Sequence, residues 1–237
     1  MKLNDDLYVV ALPMTFNGQT SQLNLSLILD ASSGPTLVDT GLPGQASLID
    51  TNLAEAGLRA QDLKRIILTH QDIDHIGSLH DLVQTSGARV LAHAIEAPYI
   101  DGRLRLVKMT PQALEQRPEL RAVLDNLKPM PIDEQLQDGA RLDLAGGMQV
   151  IFTPGHTPGH ICLYLERTRT LITGDALTAD NGQLRGPNER ATPDLALAWQ
   201  SVRKLAELDV QTIVCYHGGV LDQDAGGQLR RLAQMVG

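Results

Sequence analysis

The sequence predicts an α+β protein built from two β-sheets that carry helices on their outer faces. Three observations point there. Short apolar, partly β-branched runs read as strands, and amphipathic runs at helical spacing lie between them. The order, strands first and then strands mixed with helices, occurs twice along the chain. With 237 residues, 43% of them hydrophobic, the chain can bury a sizeable core. There are no internal repeats, low-complexity tracts or Ser/Gly linkers, so residues 1–237 read as a single domain.

Residues 7–12 are apolar and partly β-branched, residues 23–29 alternate (LNLSLIL), and 36–38 run into Asp39-Thr40-Gly41. Pro43 and Gly44 break the chain, after which Leu48, Leu53 and Leu58 give 46–58 a helical spacing. The compact strand RIIL covers 65–68, a polar loop follows, and a helix is expected over about 78–86, closed by Gly87. A short strand covers 89–92. Residues 94–138 break the rhythm: Pro98, Pro111, Pro118, Pro129 and Pro131 separate short helical pieces over 112–116 and 119–127. This stretch reads as an inserted arm over the active-site cleft. Strands are expected at 148–152, 161–165 and 170–173, then a helix over 193–208 with Thr192 as its cap and Pro193 in its first turn. A strand over 212–215 and a short helix over 228–236 complete the chain.

Composition narrows the function. No run of 18 apolar residues exists, so no segment is expected to span a membrane. The start, MKLNDDLYVV, carries acidic residues where a signal peptide needs an unbroken apolar stretch. Cys162 and Cys215 are too few to staple a fold and fit a reducing cytoplasm. The net charge is −8 with no basic cluster, which disfavours nucleic acid and anionic membrane and leaves a small molecule as the expected partner. Nothing in the sequence sets the oligomeric state, and a homodimer stays open. There is no phosphate-cradling Gly-rich loop with a Lys-Ser/Thr partner and no Gly-x-Ser-x-Gly elbow for a serine nucleophile.

Four of the seven histidines follow the ends of apolar strands: His70, His75, His156 and His217. The densest stretch, Thr69-His70-Gln71-Asp72-Ile73-Asp74-His75, packs two His and two Asp into six residues directly after RIIL. Imidazole and carboxylate are ligands that zinc, iron and manganese accept. A charged turn capping the next helix would explain any one of these residues. It does not explain why three more loops repeat the signal: Thr153-Pro154-Gly155-His156, Thr173-Gly174-Asp175 and Cys215-Tyr216-His217. Strand ends along one edge are where a site made from distant segments forms.

These motifs, in this order from Asp39-Thr40-Gly41 to His217, resemble the metallo-β-lactamase superfamily of metal-dependent hydrolases, over nearly the whole chain. The resemblance implies a four-layer αβ/βα sandwich with a helical insertion and a one- or two-metal site at the edge of its sheets. Carried over, His70 and His156 would bind a first metal, Asp74, His75 and His217 a second, and Asp175 would bridge them. Asp39 would support the His70 loop by hydrogen bonding, and His160 would support the ligands from behind. One position departs: the usual loop reads His-x-His-x-Asp-His, and Asp72 replaces its second histidine. Asp72 is either a lost ligand, leaving a weak first site or a single metal, or a carboxylate ligand that keeps the count at seven. The second reading is adopted. It implies two divalent ions per chain, zinc first, with iron or manganese made possible by the added carboxylate.

The resulting expectation is a cytoplasmic, binuclear hydrolase that attacks a small ester, lactone, lactam or thioester with a hydroxide formed between the ions. Asp74 would orient that nucleophile and pass its proton to the leaving group. Only 20 residues follow His217, too few for the glutathione-binding helical region of glyoxalase II-like enzymes. The large extra domain of the nucleases and the flavodoxin-like domain of the diiron flavoproteins are not expected either. The alternatives are a mononuclear-iron persulfide dioxygenase-like oxidoreductase and a metal-binding protein without catalysis. Within the arm, Tyr99, Met109 and Met130, beside Arg103, Arg105 and Lys108, are the candidates to line a pocket for a substrate with an apolar body and an anionic or polar end.

Overall fold

The computed structural model describes residues 1–16 and 18–235. The first sheet is formed in spatial order by β1 (Leu7–Phe16), β2 (Gln19–Ile28), β3 (Thr36–Val38), β4 (Arg65–Leu68), β5 (Arg89–His93) and β6 (Glu134–Leu136). Strands β1, β2 and β3 pair antiparallel, and β3 through β6 pair parallel. The second half supplies β7 (Arg141–Leu142), β8 (Met148–Phe152), β9 (Ile161–Leu165), β10 (Thr170–Ile172), the separate hairpin β11 (Thr178–Asp180) and β12 (Gln183–Arg185), β13 (Thr212–Cys215) and β14 (Gly219–Leu221). Its sheet runs in the order β14-β13-β10-β9-β8-β7.

Alternation along the strands explains the layering. Val9, Ile28, Val38, Ile67 and Leu91 of the first sheet meet Val150, Ile161, Leu163, Ile172 and Val214 of the second in a shared core. The opposite face of the first sheet, through Leu12, Leu25, Leu37, Ile66 and Val90, packs against α1 (Ala46–Leu53), α2 (Ile73–Ile76) and α3 (Leu79–Ser86). The arm carries α4 (Ala97–Ile100), α5 (Pro111–Gln116) and α6 (Glu119–Asn126). The outer face of the second sheet, through Cys162, Leu171 and Ile213, packs against α7 (Leu195–Leu205) and α8 (Ala225–Gln234). Strands that are apolar on both faces therefore build a four-layer sandwich with helices outermost. Among the described residues no helix is long and apolar enough to cross a membrane.

Several boundaries move for local reasons. The helix expected over 46–58 ends at Leu53 and tightens into a 3₁₀ turn, Ala54–Ala56, closed by Gly57 at φ 72°. The helix expected from 193 starts at Leu195 because Asp194, rather than Thr192, caps it: its carboxylate accepts from the Leu197 amide at 2.9 Å. The end of the proline-rich arm is not arm at all. Glu134–Leu136 joins the first sheet as β6, parallel to β5. The last helix begins at Ala225, and Val236, the end expected for it, lies outside the described residues. Helices α5 and α6 contain no fully buried residue and lean on the sandwich, whereas Ile100 and Leu106 earlier in the arm are buried in the core of the first sheet.

One contact sets how closely the second sheet's helix approaches the site. Gly155 sits at φ +130°, and a Cβ placed on it would lie 2.3 Å from the backbone nitrogen of Ala198 in α7. Gly155→Ala should lower the unfolding free energy by about 2–4 kcal/mol, by combining a forced helix displacement with backbone strain. Gly182→Ala, at φ +75° with open space around it, should cost only about 1 kcal/mol. Urea unfolding of both variants checks the difference.

Candidate metal centre

The strand ends deliver the site. After β3, Asp39 adopts the left-handed conformation (φ 63°), an uncommon one for a non-glycine residue. This turns its carboxylate onto the chain leaving β4: Oδ1 accepts from the Thr69 amide at 2.8 Å and Oδ2 from the Thr69 hydroxyl at 2.9 Å. Asp39 Oδ2 also accepts from His75 Nδ1 at 2.9 Å. Since the Thr69 hydroxyl donates to Asp39, its oxygen accepts from His70 Nδ1 at 3.0 Å, which leaves His70 Nε2 as a bare lone pair. The backbone carbonyl of Asp72 accepts from the amides of His75 and Ile76, starting α2, so His75 turns in on the first turn of that short helix.

The second sheet contributes from the facing edge. His156 lies in the loop after β8, Asp175 follows β10, and His217 follows β13. The Ile161 amide donates to the Thr69 carbonyl at 3.0 Å, pinning the two sheets together beside the site. His160 donates through Nδ1 to the Thr153 hydroxyl at 2.8 Å, while its Nε2 accepts from the Asp175 amide at 3.1 Å. It therefore supports Asp175 from behind, and burial together with neighbouring His70 and His156 holds its imidazole well below the usual range. Tyr216 packs its ring 3.8 Å from that of His75, and its hydroxyl donates to the carbonyl of Asp74.

All seven expected ligands converge. One group is His70, Asp72, His156 and Asp175, and the other is Asp74, His75 and His217. Asp72 Oδ2 lies 3.0 Å from His156 Nε2 and 3.3 Å from His70 Nε2, so Asp72 belongs to the first group by position. Asp175 faces both: Oδ2 is 3.2 Å from His156 Nε2 and 3.5 Å from His217 Nε2, and Oδ1 is 3.2 Å from His75 Nε2. His217 Nε2 is 3.3 Å from Asp74 Oδ2. Three of these buried atoms, His70 Nε2, His75 Nε2 and Asp175 Oδ1, have no hydrogen-bond partner, although burying such a group unsatisfied is costly. They belong to the same two groups of nitrogen and carboxylate donors. That donor set and those orphaned atoms fit divalent metal.

The protein's own charges respond to this crowding. Burial works against a charged His217, yet Asp175 and Asp74 override it and push the imidazole up to about 10. Burial likewise opposes charge on His75, and Asp39, Asp175 and Asp74 raise it well above the ordinary value. His70 goes the other way, to about 4, under burial and the neighbouring charge of His75. Burial alone would raise the Asp72 and Asp175 carboxyls, but the surrounding imidazoles hold both well below the usual range.

Some of the functional setting carried no sequence motif. Glu96, fully buried, accepts from the Gly159 amide at 2.6 Å, the Thr157 hydroxyl at 2.8 Å and Gln71 Nε2 at 2.8 Å, clamping the two ligand loops together. Gln71 in turn accepts from the Val107 amide of the arm at 2.7 Å. The metal groups open into a cleft of about 1240 Å³ with apolar walls that include Met14, Leu42, Ile73, Val107 and Met109. Lys108, Arg117 and Arg190 also line it. Of the three pocket candidates, Met109 lines this cleft, whereas Tyr99 and Met130 are half-buried against the core of the first sheet.

Comparison with known proteins agrees with this geometry. A family model described as the metallo-beta-lactamase superfamily matches residues 22–217. "Probable metallo-hydrolase YflN" of Bacillus subtilis (strain 168) is 30% identical over 222 residues, spanning 85% of this chain and 83% of its own length. A hydroxyacylglutathione hydrolase of Fuscovulum blasticum is 32% identical over 199 residues, spanning 83% of this chain and 62% of that protein. The crystal structure of a metallo-beta-lactamase family protein from Thermus thermophilus, TTHA1429, matches with a TM-score of 0.71 at 28% identity, over 99% of this chain and 79% of that one.

The raised His217 has a measurable consequence in chelator-stripped protein. Its charge is worth most below the unfolded value of about 6.5 and is lost as pH rises through about 10, so it stabilises at neutral pH and stops doing so in alkali. Urea midpoints measured from pH 6 to 10.5 should fall more steeply for the stripped wild type than for stripped His217→Gln. Parallel curves would remove His217 from the linkage.

Proposed function

This chain belongs to the metallo-beta-lactamase superfamily, and from that premise we propose that it is a binuclear metal-dependent hydrolase of a small ester, lactone, lactam or thioester. One observation carries the reading: seven ligand side chains from four strand ends form two adjacent groups that share Asp175 at the floor of an apolar-walled cleft. His70, Asp72 and His156 would hold one ion, Asp74, His75 and His217 the other, with Asp175 between them. Zinc is the first candidate, and the carboxylate at Asp72 makes iron or manganese the next. Bound divalent ions supply Lewis acidity for a scissile carbonyl and lower the pKa of water towards neutrality.

The chain's own residues supply the remainder. Asp74 reaches the cleft with its backbone carbonyl held by Tyr216, so its carboxylate is fixed where it can orient an attacking water and move a proton to the leaving group. Asp39 sets the tautomer of His75 directly and that of His70 through Thr69. His160 fixes the backbone at Asp175. Apolar walls and the cations Lys108, Arg117 and Arg190 suit a substrate with an apolar body and an anionic or polar end. Similarity to hydroxyacylglutathione hydrolases makes thioesters the first class to assay. A mononuclear site would leave the facing pair Asp74 and His217 without a task.

Elemental analysis of purified protein should find close to two transition-metal ions per chain, and a panel of thioesters, esters and lactones should contain a substrate turned over only with metal present. Asp175→Ala should lose metal from both groups and at least about 10³-fold in kcat/KM, as removal of a group acting on the transition state does. Asp39→Ala should lower the melting temperature while retaining part of the metal. Equal metal loss in both variants would reverse the assignment of bridge and support.

The arm gives a separate expectation. Gly102 lies against Pro129, so the residues flanking 103–128 within the arm already meet, and 103–128 can be replaced by a short Gly-Ser link. The shortened protein should keep its fold and metals, with KM for the best substrate raised at least about tenfold through lost uniform binding. Loss of metal on shortening would make the arm part of the site's framework.

A further inference from the structure

Lys108 occupies an unusual place for a cation in a centre suited to metal. Its Nζ lies 2.5 Å from Asp72 Oδ2 and 2.6 Å from His156 Nε2, two donor atoms of the first ligand group. His156 Nε2 has one lone pair, which can be given to an ammonium N–H or to a metal ion but not to both. Asp72 faces the same choice in milder form, since an ion ligated at about 2 Å would stand within a few ångströms of the ammonium and repel it. Among the described residues no lysine or arginine pairs with Asp74, His75 or His217, whose charged neighbours are Asp39, Asp74 and Asp175. The two groups therefore differ in one respect: among the described residues only the first is contacted by a lysine or arginine.

The geometry points to Lys108 as a tethered competitor for the first metal position. We propose that its ammonium holds Asp72 and His156 together until an ion displaces it, so that the second group loads before the first. The inference rests on the metal-centre reading above and adds an order and a gate to it. The means of displacement are visible. Lys108 is 19% exposed, sits on a flexible four-carbon stem, and belongs to the arm, whose helices α5 and α6 bury no residue fully. It also follows Val107, whose amide is bound by Gln71 in the first ligand loop. Whatever occupies the cleft and draws Lys108 away from Asp72 raises the affinity of the first group, and the ion reciprocally frees Lys108 for that occupant.

Titration of the chelator-stripped full chain with Zn²⁺ alone, against a chromophoric chelator, tests this without reference to turnover. The wild type should bind two ions with dissociation constants at least about 30-fold apart. Lys108→Met should tighten the weaker site at least about tenfold and leave the tighter one unchanged, and Lys108→Arg should keep the wild-type gap. A weaker site that is unchanged or loosened in Lys108→Met overturns the inference while leaving two bound ions and the metal reading in place. Absence of Zn²⁺ binding in every form overturns both. A second measurement needs no variant: acylation of Lys108 by an amine-directed reagent, followed by mass spectrometry, should rise with the second equivalent of Zn²⁺ and not with the first. Labelling indifferent to Zn²⁺, or rising with the first equivalent, overturns the proposed order.

Discussion

Asp72, Asp74 and Asp175 are brought together by the fold although their like charges oppose it, and much of the architecture around them answers that repulsion. Each carboxylate is carried on backbone that follows a paired strand: Asp72 and Asp74 come after β4 and Asp175 after β10. The protein's own cations counter them: His75 and His217, both raised by the carboxylates, and Lys108 from the arm. Three cations thus face three carboxylates in the cleft. The same positions, with protons given up and the lysine moved aside, could present seven donors to divalent ions. Charge compensation and the proposed ligation would be two uses of one set of side chains.

Orientation has its own source. Asp39 carries no metal-directed role in this arrangement, yet it fixes which nitrogen of both His70 and His75 faces inward, one through Thr69 and the other directly. Its left-handed backbone is the strained element of the loop after β3. A residue held in a sparsely populated conformation persists where its surroundings over-determine it, and here they do: a backbone amide, a hydroxyl and an imidazole all converge on one carboxylate.

The side chains that converge at the candidate site were legible in the sequence because they are short-range features: a His or Asp just past an apolar strand is visible without knowing where the strand goes. The layering was legible for the same reason, since strands such as RIIL and ICLYL are apolar on both faces. What stayed hidden depends on long-range placement. Glu96 and Lys108 lie in a stretch with no motif, and only the return of the arm over the cleft puts one between two ligand loops and the other among the donors. The strand β6 was hidden too, because Glu-Gln-Leu has no strand pattern and pairs only because Asp133 and the sheet edge of β5 receive it. Thr192 looked like a helix cap and instead stands 3.4 Å from His156 Nδ1, leaving the cap to Asp194.

The clamp at Glu96 carries an implication for how this region can change over time. Burial raises its carboxyl, and three donors from two loops, Gln71 of one and Thr157 and Gly159 of the other, share the work of satisfying it. Gly159 has no side chain because a Cβ there would lie 2.8 Å from the Glu96 side chain. Loss of any one donor leaves a buried carboxylate short of a partner, and loss of Glu96 strands all three donors at once. Single substitutions at Gln71, Thr157, Gly159 or Glu96 are therefore each harmful alone, while combined changes can be far less so. The four positions form an epistatic unit, and the two ligand loops they join are free to drift in sequence only in step with each other.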